Sequence, residues 1–196
     1  MSEKVFAGVL DEGVARLGLV MDFVGGGVTV TSTGGKQTVS IPGGGGGSGP
    51  TLVRKTADQT ISATTYQDIG DLSFALATDT TYHFIFYISF RSAATTTGFG
   101  FSVNGPTNSL LDYIVHYQTT ANAAATGDVT QRKDVTYDAM SATTSTITAN
   151  ANLRCRIEGI IRTTASGTLV ARVLSELANT NLVVQANSIG ILTTFV

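Results

Sequence analysis

Two histidines, His83 and His116, are the side chains of this chain whose ordinary titration falls nearest neutral pH. Either could ligate a metal or act as a general base. Neither has a partner at a spacing such as H-E-x-x-H. His83 lies in an aromatic run and His116 between Val115 and Tyr117, so each reads first as a half-buried strand residue. The carboxylates form two loose groups, Asp68 with Asp71, and Asp128 with Asp134 and Asp138. Calcium needs several oxygens, and neither group follows the EF-hand spacing. Loop carboxylates in β proteins commonly cap turns; calcium stays open as the alternative. Glycoside cleavage needs two facing acids roughly 5–9 Å apart. Nothing in the pattern selects such a pair, and the chain has no Trp to line a sugar groove.

Arg154, Arg156 and Arg162 share one strand face, opposite Leu153 and Cys155, with Glu158 among them. Like charges two residues apart crowd each other, so acidic neighbours or a partner subunit are expected nearby, with a solvated outer sheet face as the more ordinary alternative. Cys155 is the sole cysteine, which excludes an intrachain disulfide and a multi-cysteine metal site. Its alternation with Leu153 and Ile157 predicts a buried apolar role. The glycine tracts Gly25–Gly27 and Gly43–Gly47 do not open a helix, so they are not phosphate cradles. No G-x-S-x-G, P-loop or kinase-type glycine pattern is present. The residues therefore predict a chain that is not an enzyme and carries no cofactor and no metal.

Composition points the same way. Charged residues are only 13% of the chain, about half the usual share. Thr, Ser, Asn, Gln and Gly must then supply much of the polar surface, which suits β architecture and repeated protein–protein contact. A net charge of -2 and the lack of a basic run argue against nucleic-acid binding. Met1-Ser2-Glu3-Lys4 does not start a secretory signal. No apolar stretch approaches the ~18 residues of a membrane helix, so no membrane partner is expected, and a reducing cytosol is the expected site of assembly.

The elements that must position these residues are strands. Leu17, Leu19, Met21 and Phe23 alternate with smaller or polar residues as one strand. Val28 and Val30 lead into a second, and Thr38–Ile41 pairs back after the Ser32–Gly35 turn. Residues 2–15 fit a short helix or an extended tail. Such an arm has too few apolar residues for its own core, and a lone hairpin is marginal in water. Its apolar face, Leu17, Leu19, Met21, Phe23, Val28 and Val30, must bury against a partner. Residues 1–42 are thus read as a docking arm, 43–50 as a flexible linker and 51–196 as one β domain. In that domain Tyr82, Phe84, Phe86, Ile88 and Phe90 face one way and His83, Ile85, Tyr87, Ser89 and Arg91 the other. Phe99–Val103, Leu111–Tyr117, Val129–Tyr137, Leu153–Arg162, Thr168–Leu174 and Ile189–Phe195 add further strands, with Thr143–Ala151 an edge strand or loop. About eight to ten short strands with little helix predict an all-β jelly roll or β-sandwich.

Two stretches carry a resemblance. Asp22-Phe23-Val24-Gly25-Gly26-Gly27-Val28-Thr29-Val30-Thr31, then Thr38–Pro42 and the glycine tract, resembles a linker-and-hairpin module of tailed-bacteriophage virion proteins. Val53–Thr60, Leu72–Leu76, Tyr82–Phe86 and the last strand resemble a jelly-roll domain of phage structural proteins. The resemblance implies a virion component assembled in the host cytoplasm, a homotrimer partnered by a major capsid protein or by tail proteins. A capsid decoration (cement) protein is the leading expectation. A tail fibre, spike or baseplate component is the alternative, and a glycan-binding lectin-like module a second one. No catalytic residue is carried over.

Overall fold

The computed structural model describes residues 9–11, 14–16, 29–33, 36–40, 49–119, 129–139, 148–178 and 182–195, and among them are fifteen β-strands and no helix. The chain divides into two compact units, Met1–Gly46 and Gly47–Val196. The boundary falls inside the glycine tract.

In the first unit β1 (Val9–Asp11) pairs antiparallel with β2 (Val14–Arg16). The helix-or-tail expectation for residues 2–15 gives way to a hairpin over 9–16. Gly8 and Gly13 weaken the helical alternative there. β3 (Thr29–Thr33) pairs antiparallel with β4 (Lys36–Ser40), with Val30 opposite Val39. The expected strand over 17–24 lies outside the described residues.

The second unit is an antiparallel β-sandwich. Its strands are β5 (Thr51–Arg54), β6 (Gln59–Ile61), β7 (Gln67–Leu76), β8 (Thr81–Ser92), β9 (Phe99–Asn104), β10 (Asn108–Gln118), β11 (Val129–Asp134), β12 (Leu153–Thr163), β13 (Gly167–Ser175), β14 (Leu182–Val184) and β15 (Ile189–Phe195). The larger sheet runs β11-β10-β12-β8-β14-β6, with β15 also pairing β8 on one side and β5 on the other. The smaller sheet is β7-β13-β9. The chain moves between sheets at most connections, so strands consecutive in sequence usually face each other across the core. β5, β6 and β14 are too short, at 3 or 4 residues, for alternation to mark them.

β8 runs along the middle of the larger sheet. Tyr82, Phe84, Phe86, Ile88 and Phe90 point into the core, while Tyr87 and Arg91 are exposed on the other side. That is the alternation its sequence predicts. Phe90 packs on Phe99 and Phe101 of the smaller sheet with ring centroids 4.6 and 5.0 Å apart, and Phe74 packs on Phe86 at 5.4 Å. These tilted and edge-on contacts join the two sheets.

Two inward-facing glycines permit close approaches in this packing, Gly159 to the β10 backbone and Gly190 to the aromatic rings. Gly159 of β12 lies opposite Phe84 and Tyr113. A Cβ there would sit 2.4 Å from the Tyr113 Cβ and 2.5 Å from the Asp112 carbonyl oxygen. Gly190 of β15 lies under Phe86, where a Cβ would come within 2.9 Å of both Phe74 and Phe86. The smaller sheet carries an irregularity. Val170 pairs with Ser73, yet Arg172 pairs with Asp68, so residues 69–72 bulge out of β7. Asp71, at a φ of 67°, makes the left-handed turn this requires. The bulge is held by Gln59, whose side chain accepts from the Gly70 N–H at 2.9 Å and donates to the Asp68 carbonyl at 2.9 Å.

Gly159→Ala is expected to destabilise the sandwich by at least about 2 kcal/mol, because the nearest clashing atoms include backbone that cannot swing away. Urea unfolding followed by circular dichroism measures this; a variant as stable as the parent would show that β12 and β10 can separate at no cost.

Candidate functional site

The predicted docking residues fall largely beyond what the structure describes. Leu17, Leu19, Met21, Phe23 and Val28 lie outside the described residues, and Val30 sits in β3 opposite Val39. Among the described residues of the second unit, the chemistry-bearing side chains divide between the outer face of the larger sheet and one end of the sandwich.

On the outer face, cross-strand pairing brings the two histidines into a charged zone. His83 of β8 lies between Thr193 and Ile160, and its Nε2 is 3.1 Å from Glu158 Oε1. Glu158 also ion-pairs with Arg156. This is the acidic neighbour that the crowded arginines require. Arg156 in turn lies over the Tyr87 ring, 5.8 Å from its centroid. His116 of β10 pairs with Arg156 on one side and Gln131 on the other. Tyr87, His116, Gln118, Arg154, Asn187 and Ile189 line a groove of about 500 Å³ beside it. A base with an orienting carboxylate is therefore present, in His83 and Glu158. Nucleophilic catalysis needs a hydroxyl or thiol hydrogen-bonded to that base, and among the described residues none is bonded to His83. Cys155 lies at the groove floor, but it is 2% exposed and burial pushes its thiol well above the ordinary range. A buried neutral thiol is a packing residue.

The carboxylates expected as loop ligands are engaged by protein groups. Asp71 accepts hydrogen bonds from the Thr56 N–H at 3.0 Å and its hydroxyl at 2.7 Å, and these hold its carboxyl below the usual range. Asp68 ion-pairs with Arg172 Nε at 2.8 Å. Asp138 pairs with the same guanidinium and accepts from Asn104 Nδ2 at 3.1 Å. Asp134 pairs with Arg132 at 3.1 Å, and Asp128 lies outside the described residues. Among the described residues no three His, Cys, Asp or Glu side chains come together as a metal site.

Arg172 is the hub of a polar cluster that sequence reading missed. Its Nη2 donates to the Tyr66 carbonyl at 2.7 Å, and its guanidinium lies 5.9 Å from the Tyr66 ring centroid. Nearby, the Tyr113 hydroxyl donates to the Thr136 carbonyl at 2.9 Å and shares a 2.8 Å hydrogen bond with Ser102. The Tyr137 hydroxyl donates to the Pro106 carbonyl at 2.7 Å and accepts from Asn108 at 3.0 Å. These bonds fasten the segment after β11 across the sandwich end. Burial pushes the Tyr113 hydroxyl up to about 12, with Ser102 opposing and Asp134 and Asp138 adding. Burial likewise raises Tyr66 and Tyr137. No local signal in the sequence marks the cluster, because its members come from β7, β10, β13 and the segments around them. No protein-family model matches this chain, and no curated protein matches it.

Two outcomes follow from the cluster. Arg172→Ala strands the half-buried Asp138 and should cost about 2–3 kcal/mol, read by urea unfolding; an unchanged midpoint would mean that solvent already screens the pair. An unfolded tyrosine titrates near ~10, and the folded Tyr113 holds its proton to about 12. Its contribution is thus full below about pH 10 and is lost as pH rises through the folded value. Stability should fall above about pH 10, and Tyr113→Phe should flatten part of that slope. An identical slope in the variant would assign the effect to Tyr66 and Tyr137.

Proposed function

We propose that this chain is a structural virion protein of a tailed bacteriophage, a capsid decoration protein that docks through its first unit and presents the β-sandwich outward. The observation that carries the reading is the two-unit organisation, with short hairpins before the glycine tract and a complete sandwich after it. A glycine tract uncouples the two parts, so one can grip a surface while the other adjusts its orientation. The uncharged polar surface and the absence of a hydrogen-bonded nucleophile among the described residues fit a part that holds rather than converts. In this reading the protein works as a homotrimer on a shell built of the major capsid protein.

A second reading, a tail fibre, spike or baseplate component, draws on the groove lined by Tyr87, His116, Arg154 and Asn187. An aromatic ring flanked by polar and cationic donors is a contact that a host-surface glycan would use.

Antibody to residues 51–196 is expected to place gold over the shell of intact particles. Gold at the tail would select the second reading, and particles without gold would reject both. Phe23→Asp and deletion of residues 1–42 should each abolish incorporation, while the 51–196 fragment keeps its β circular dichroism. Normal incorporation of Phe23→Asp would remove the docking role of the first unit.

A further inference from the structure

Large apolar side chains that remain exposed are gathered on one surface. Among the described residues they are Leu52, Tyr87, Leu110, Ile160, Ile189 and Phe195 on strands, with Val135 and Leu177 outside the strands. The first six all stand on the outer face of the larger sheet, because their ladder partners share that face. Leu52 pairs with Ile191, which pairs with Ile85, so three apolar residues run unbroken across β5, β15 and β8. One row along, Ile189 pairs with Tyr87. Leu52 is 68% exposed and Phe195 54%. A contiguous apolar stripe of this kind on a sheet is costly in water and marks a contact surface.

We infer that this face is a self-association surface, and that a second copy of the same chain covers it. The inference rests on the reading of the protein as an assembly subunit and specifies the surface used. Size supports it. At ~3.3 Å rise and ~4.8 Å strand spacing, the strands β5, β15, β8, β12 and β10 present roughly 700 Å² of sheet plane. A stable interface takes about 800 Å² from each partner. On this face the apolar residues of β5, β15 and β8 adjoin a charged group, His83, Glu158 and Arg156, on β8 and β12.

Charge selects a copy of the chain over a partner of one sign. Arg154 and Arg162 stand towards the two ends of β12, and neither has an ionic partner among the described residues. Glu158 sits between them on the same face, shared by His83 and Arg156. Asp112 lies on the next strand, paired to Lys133 at 2.8 Å. A uniformly acidic partner would meet Glu158 and Asp112, and a basic one would meet the arginines. A rotated copy offers both signs at once, so each contact can be repeated reciprocally around a symmetry axis.

The test uses the full chain in light-scattering chromatography over a wide concentration range. The native protein is expected at a whole multiple of its 20.3 kDa chain mass. Tyr87→Glu and Ile191→Glu should each fall to the single-chain mass with unchanged circular dichroism. Leu52→Glu is the second variant: at 68% exposure on an edge strand it cannot be needed for folding, and it too should dissociate. Thr168→Glu, at an exposed position of β13 in the smaller sheet, should keep the native mass. A native protein of single-chain mass, or face variants that keep the multiple, would overturn the inference. Particle binding measured on the same samples separates the two readings. A monomer that binds particles removes the interface and leaves the assembly role, whereas an oligomer that binds none removes the assembly role and leaves the interface.

Discussion

The sandwich depends on the inward face of β8. Five large side chains of one strand, from Tyr82 to Phe90, must be covered by a sheet of only three strands. Each fully buried aromatic or aliphatic side chain contributes roughly 1.5–3 kcal/mol, and the rings meet at edge-on or tilted angles that leave little slack. That density has a requirement. A neighbouring strand must offer no side chain where the rings lie, and Gly190 meets this beside Phe74 and Phe86, while Gly159 on the other side of β8 lets β12 lie close to the β10 backbone. Close packing of this kind makes the core intolerant of a single added carbon.

The polar cluster around Arg172 answers a second problem. The segment after β11 leaves the sheet and folds over an end of the sandwich, where backbone carbonyls would otherwise lose their water. Tyr113 and Tyr137 reach those carbonyls, at Thr136 and Pro106, and Arg172 neutralises Asp138 beside them. Residues that resemble a site in the sequence thus serve as fastenings. Asp68, Asp71 and Asp138 each hold a protein donor. The same economy explains His83, whose carboxylate partner Glu158 also relieves the crowding of the β12 arginines.

With the core closed and the carboxylates engaged, the surface left with unmet demands is the outer face of the larger sheet. Its groove and its apolar stripe adjoin, since Tyr87 and Ile189 belong to both. In the proposed self-association this face is the part that meets other subunits, with its exposed apolar rows and with arginines that are ion-paired or, among the described residues, without an ionic partner. Turnover wants a closed, water-excluding pocket, and this groove is open to solvent along the sheet.

Period-two alternation made the fold class and the long strands legible from residues alone. Tyr82 to Phe90 against His83 to Arg91, and Leu153 and Cys155 against Arg154 and Arg156, divide in the structure as they do in the pattern. The burial of Cys155 followed from the same rule. Short strands were not legible, because three residues of β6 or β14 give alternation too little length to register. Nor was the hairpin over 9–16 visible, where two apolar residues per strand fit a helix equally well. What the sequence by itself determined was which side chains share a face, since that depends only on backbone geometry between neighbours. Which strands lie side by side, which glycine receives an aromatic ring, and that Asp68 and Asp138 meet on one arginine were decided by the tertiary structure, because these contacts join residues as far apart as Thr51 and Leu192 and carry no local period.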